Sequence, residues 1–251
     1  MRKTLLKLIG WSDKYNDGIG KEVIARYSTS IDNKGIFFTD SNGRQMMERE
    51  INYRPTYEIN MTEPAVAQNI YHVNAKVVIK DEKTQLGILT DRSQGGGSIL
   101  DGSIKLMVHR RLLDDDAFGV GEAFGKGLVS TGKHSILFDS NEENFVNSHR
   151  LQAMDLFYKP FEFFGEITSL NFPSQPVLTE PLPENIHILT MKKIYVEDDP
   201  FGVIIFFQLE HIFQAEEHSQ LSQPVTLNLS NIFSFLSVEW LAMLGRMRVK
   251  D

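Results

Sequence analysis

Short runs of β-branched and aromatic residues alternate with turn residues along most of the chain, a texture that predicts strands rather than helices. Ile36-Phe37-Phe38-Thr39, then Asp40-Ser41-Asn42-Gly43, then residues 44–50 read as a hairpin, because Asn-Gly supplies the positive φ that right-twisted strands prefer at their turn. The same reasoning predicts strands over residues 21–27, 75–80, 86–90, 103–113, 134–138, 186–196, 202–213 and 225–229. In residues 202–213, Val203, Ile205, Phe207 and Leu209 share one face while Ile204 and Phe206 share the other. Apolar residues on both faces predict a central strand there.

Residues 142–158 break the pattern. Phe145, Leu151, Met154, Phe157 and Tyr158 can gather on one side of a helix behind a Ser140-Asn141 cap, so one helix is predicted to cross between sheets. Pro173, Pro176, Pro181 and Pro183 then mark an extended connector, since fixed φ angles and missing donors exclude a central strand. No repeat, low-complexity tract or heptad emerges. The fold class expected is therefore mainly all-β, a large sandwich with one crossing helix, and its length permits either one large domain or a split at the connector.

Composition narrows the function classes. The net charge of -7 and pI near 5.5 disfavour duplex binding, which needs a basic stripe to displace counterions, so no nucleic-acid partner is expected. The absence of cysteine excludes disulfides and thiolate zinc sites. Leu5, Leu6, Leu8 and Ile9 lie among Arg2, Lys3 and Lys7, too short and too charged a run for a signal peptide or a membrane span. Sequons begin at Asn60 and Asn228, candidate glycosylation sites that would suit secretion.

The densest chemical signal lies between Leu89 and Glu122. Gly95, Gly96 and Gly97 either serve tight turns and bulges, the favoured reading, or let the backbone approach a ligand; no phosphate-binding loop follows them. Arg110 and Arg111 fall on opposite faces of a strand, so at most one reaches a given cavity. That one can donate a planar pair of hydrogen bonds to vicinal hydroxyls or a carboxylate, or else form a salt bridge to Asp114, Asp115 or Asp116. These acids read as a solvated turn rather than a calcium loop. The 33 acidic residues make glycosidase-like carboxyl pairs unavoidable by chance, and their spacing selects none. The seven histidines show no chelating spacing, and His109 and His211 read as core residues with satisfied hydrogen bonds. No nucleophile elbow is present.

The segments Asp17-Gly18-Ile19-Gly20-Lys21-Glu22-Val23, Phe38-Thr39-Asp40-Ser41-Asn42-Gly43-Arg44, Asn52-Tyr53-Arg54-Pro55, Leu89-Thr90-Asp91-Arg92-Ser93-Gln94-Gly95-Gly96 and Leu106-Met107-Val108-His109-Arg110-Arg111-Leu112-Leu113 together resemble lysosomal-type α-mannosidases of glycoside hydrolase family 38. The likeness runs from Asp17 to the neighbourhood of Phe233 to Trp240, leaving residues 1–16 unmatched and residues 17–251 as one β-sandwich domain, with both ends looking truncated. It implies a supersandwich related to the galactose-mutarotase fold, packed on a separate catalytic domain that carries zinc and the nucleophilic carboxylate. It further implies α-mannoside hydrolysis by the whole enzyme, mannose-containing glycans as partners, a lysosomal or secreted location, and an arginine sent from the Arg-Arg-Leu strand toward the sugar. Arg110 is preferred over Arg111 for that role. No catalytic residue and no metal ligand is assigned to this chain, which alone is expected to be inactive. The other reading is a non-catalytic carbohydrate-binding or scaffold module.

Overall fold

The computed structural model describes residues 2–11, 19–60, 65–111, 117–118, 129–162, 164–165, 178–195, 203–229 and 232–233. The chain divides into two compact units, one of residues 1–160 with 213–219, the other of residues 161–212 with 220–251.

The first unit is built from two antiparallel sheets and a helix. Its larger sheet has six strands, from edge to edge β1 (Arg2–Trp11), β10 (Val129–Asp139), β7 (Gln85–Thr90), β6 (Lys76–Lys80), β3 (Ile36–Asp40) and β4 (Met46–Glu50). The smaller has four, in the order β2 (Lys21–Ser28), β9 (Ser103–Arg111), β8 (Gln94–Gly97) and β5 (Tyr71–Val73). Period-2 alternation decides which residues meet between them. Phe37, Val77, Ile79, Leu86 and Ile88 from the larger sheet join Val73, Ile104 and Leu106 from the smaller in one buried cluster, the core of a sandwich. The mainly all-β expectation therefore holds.

The opposite face of the larger sheet is also covered. A short helix, α1 (Ala65–Gln68), lies in a connection, whereas the long helix α2 (Glu142–Phe157) packs Phe145 against Val78, Leu89 and Leu137. Asn141 caps α2 by accepting a hydrogen bond from the Asn144 N–H at 2.9 Å, and Glu142 and Glu143 complement the helix dipole. The helix is where expected, but its buried stripe is different. Phe145, Val146, His149, Arg150 and Gln152 are buried, while Phe157 is 76% exposed and Tyr158 is exposed as well. The physical reason is partnership, because His149 and Arg150 meet complementary groups that make their burial affordable.

The second unit is smaller. Its two-stranded antiparallel sheet pairs β11 (Ile186–Tyr195) with β12 (Val203–His211), with a register shift between Ile188 and Thr190. Among the described residues β12, expected as a central strand, has β11 as its one neighbour, and Phe206 is 40% exposed. Apolar residues on both faces show that a strand can be covered twice, not that another strand lies beside it. Asn185 ties the unit together by donating from Nδ2 to the carbonyls of Leu221 and Gln223. Residues 225–229, expected as a strand, form no sheet. Pro181 and Pro183 lie outside any strand, with the Pro183 carbonyl accepting from the Ile186 N–H in a turn, while Pro173 and Pro176 are outside the described residues.

Candidate functional site

The strand β9 carries the arginines singled out by sequence. Its register against β2 sets Arg110 opposite Glu22 and Arg111 opposite Lys21. Arg110 is more than half exposed, and its guanidinium stands 3.9 Å from the Glu22 carboxylate. That separation is an ion pair but too long for a hydrogen bond, so the planar donors of Arg110 remain available to an external acceptor. This pair is to the neighbouring strand; residues 114–116, the other expected partners, lie outside the described residues, as does the Arg111 side chain. The ring of His109 differs from expectation. Its Nε2 is buried without a hydrogen-bond partner, so it is not the satisfied core histidine foreseen. His211 is partly buried and has partners, its Nε2 lying 3.2 Å from both Asn185 Nδ2 and the Gln223 carbonyl, of which one tautomer satisfies one.

The three glycines form strand β8, flanked by β5 and β9. A Cβ on Gly95 would strike the Met107 sulfur, one on Gly96 would come within 2.7 Å of Leu106, and one on Gly97 would overlap the Asn69 carbonyl. They are glycines because neighbouring groups occupy the side-chain space, which is neither a turn nor a ligand loop. Beside them His134, wholly buried on β10, holds Tyr27 Oη at Nδ1 and Gln94 Oε1 at Nε2, each at 2.7 Å. A neutral ring satisfies both contacts if Tyr27 donates and Nε2–H donates. Burial lowers the His134 pKa to about 4 and pushes the Tyr27 phenol up to about 12.

A second polar cluster lies where the β3–β4 hairpin meets α2, and sequence reasoning did not single it out. Asp40 Oδ1 accepts from the backbone N–H groups of Asn74, Ala75 and Lys76 at 2.8–2.9 Å, and Oδ2 accepts from Gly43 N–H at 2.7 Å. Gly43 sits at φ +78°, the turn conformation expected of Asn-Gly. Lys76, fully buried, places Nζ 2.9 Å from His149 Nδ1. Arg150, also buried, forms a two-pronged pair with Glu217, both bonds at 2.6 Å, and donates to the Gly43 carbonyl at 3.2 Å. Desolvation holds Lys76 and His149 well below their ordinary pKa values, with the Arg150 charge adding to the effect on both. The only trace of this cluster in the sequence was the Phe38 to Arg44 segment, whose Asp40 organises it.

The sequon residues Asn60 and Asn228 are both exposed, while Thr62 and Ser230, which complete their triplets, are outside the described residues. Among the described residues no helix is long and apolar enough to cross a membrane.

The profile of the Glycosyl hydrolases family 38 C-terminal domain matches residues 7–118, which include the arginine strand, the glycine strand and Asp40. The chain is 43% identical to lysosomal alpha-mannosidase of Bos taurus over 88% of its length, and 42% identical to that of Homo sapiens over the same share. The chain belongs to glycoside hydrolase family 38. Alpha-mannosidase of Canavalia ensiformis is 29% identical over 89% of the chain. The chain spans 22–24% of the length of these relatives.

Zinc, which the family resemblance implies, finds no fit here. Among the described residues no three His, Asp or Glu side chains converge as metal ligands. His149 has an amine at one ring nitrogen, and His134 has both nitrogens occupied by Tyr27 and Gln94.

Proposed function

We propose that this chain serves as the C-terminal β region of an α-mannosidase, with the zinc ion and the nucleophilic carboxylate supplied by polypeptide outside it. The observation that carries this reading is the 42–43% identity to lysosomal alpha-mannosidases across nearly nine-tenths of the chain. Glycoside hydrolysis by this family's retaining route requires two carboxyl groups in fixed relation to one sugar. The described residues offer exposed hydrogen-bond donors on β9, and the spacing of the acidic residues singles out no such pair. The chain's role is then to complete a sugar pocket, with Arg110 donating to hydroxyls, and to support the catalytic portion. By the same likeness the whole protein acts on terminal α-mannose of glycoproteins and resides in the lysosome or is secreted, with Asn60 and Asn228 as glycan acceptors.

The test is complementation. The chain alone, supplied with zinc, should not turn over an aryl α-mannoside. Produced together with the preceding portion of a lysosomal α-mannosidase, it should give activity that depends on both halves. Zinc-dependent hydrolysis by the purified chain would falsify the division of labour. A second reading, a glycan-binding module without a catalytic partner, draws on the looseness of the Arg110–Glu22 pair, which leaves guanidinium donors free. It predicts binding of mannose oligomers with shifts at Arg110, and no rescue of activity by complementation.

A further inference from the structure

A cleft of about 580 Å³ opens in the first unit between α2, the outer face of the six-stranded sheet and residues 214–219. Its volume lies in the range of small-ligand sites. The floor is apolar, from Val78, Phe145 and Met46. Into this floor is set the ring of His149, which is only 3% exposed. Lys76 Nζ occupies His149 Nδ1 at 2.9 Å, and the two roles there follow the tautomer: Nε2 donates when Nδ1 accepts, and accepts when Nδ1 donates to a neutral amine. Nε2 has no partner among the described residues, and His149 is one of the residues that line the cleft.

The rim narrows the chemistry of what can enter. Glu142 and Glu143 lie on one side with Lys80, whose ammonium is 2.8 Å from Glu142, and Glu216 lies on another. An anion would meet these carboxylates. A cation would meet the Lys80 ammonium on the same rim. A neutral ligand that both donates and accepts at several points, with carbon-bound hydrogens between, satisfies the whole set. Hydroxyl groups on a six-membered ring have that character. We propose that this cleft is a binding site for a single neutral pyranose unit, with His149 Nε2 hydrogen-bonded to one hydroxyl, which can donate or accept, and the glutamates accepting from others. The inference does not depend on the α-mannosidase reading, since it concerns α2 and not the arginine strand.

The experiment is an NMR titration of the full chain with methyl α-D-mannopyranoside, reading the His149 ring nitrogens and the amides of residues 142–149 and 214–219. Choline chloride and inorganic phosphate are titrated in parallel. The expected result is saturable shifts at these positions with a Kd on the order of 1 mM, weaker responses to both ions, and a Kd raised at least about tenfold in Ala215→Trp. Ala215 is an exposed rim residue, so the indole obstructs the cleft without disturbing the core. A ring of His149 that does not respond to saturating sugar, an unchanged Kd in Ala215→Trp, or tighter binding of choline or phosphate would each overturn the proposal. Shifts confined to Arg110 and its neighbours would also overturn it, while leaving the α-mannosidase reading intact.

Discussion

At the scale of single residues, the molecule depends on charges that are buried because they are paired. Arg150 has no exposure to speak of, and both of its bonds to the Glu217 carboxylate are 2.6 Å long. Removing one partner of such a pair leaves the other desolvated, a loss of about 3–5 kcal/mol. Glu217→Ala should therefore lower the urea midpoint sharply, whereas Glu142→Ala, which breaks the exposed pair to Lys80, should cost less than about 1 kcal/mol. Similar losses in the two variants would contradict the burial argument. His134 supplies a pH dependence. Its folded pKa of about 4 lies below the ordinary 6.5, so on acidification the unfolded chain takes up a proton first. Its stabilising contribution is complete above 6.5, falls as pH drops toward about 4, and is constant below that. The span corresponds to about 3 kcal/mol. His149 is shifted in the same direction and adds to the loss. His134→Gln should be less stable near neutrality yet lose about 2–3 kcal/mol less than the parent between about pH 7.5 and about pH 4.5. Parallel declines of the two proteins in urea denaturation would reject this assignment.

At the scale of elements, most strands were legible because alternation and turn residues are local properties. The β3–β4 hairpin, β6, β7 and β9 fall within a residue or two of their expected positions, and α2 begins behind its expected cap. What was not legible depends on partners distant in sequence. Strand β1 pairs along ten residues with β10, yet its mixture of leucines with Arg2, Lys3 and Lys7 shows no clean period. The stripe buried by α2 includes a histidine and an arginine, and only Lys76 and Glu217 on other elements explain them. The glycines of β8 were read as turn formers because a run of glycine resembles a loop. Their actual constraint is the space taken by Met107, Leu106 and the Asn69 carbonyl. Gly97→Ala tests that constraint, since the obstructing atom belongs to backbone and cannot rotate away. A loss of about 1–3 kcal/mol is expected from overpacking. A neutral substitution in thermal melts would show that the sheet yields at this point.

At the scale of the whole molecule, the two units are unequally supplied with core. Strands β6 and β7 are buried at nearly every position, between the four-stranded sheet on one face and α2 on the other. The described residues of the second unit form a two-stranded sheet, an arrangement that is marginal by itself. Both β11 and β12 present an open edge among the described residues, and Leu189, Met191 and Phe206 are each about two-fifths exposed. Backbone amides in β6 and β7 should thus exchange only through global opening, and those of β11 and β12 through smaller openings of lower free energy. Hydrogen exchange followed by mass spectrometry separates these behaviours, and equal protection of the two sheets would show that the second unit is held as firmly as the first. The same open edges and apolar side chains favour association of the isolated chain through strand pairing. Light scattering should accordingly show mass increasing with concentration, and co-production with a catalytic portion that covers those surfaces should suppress the increase. A monodisperse monomer at high concentration would mean that the exposed strands are protected without any partner.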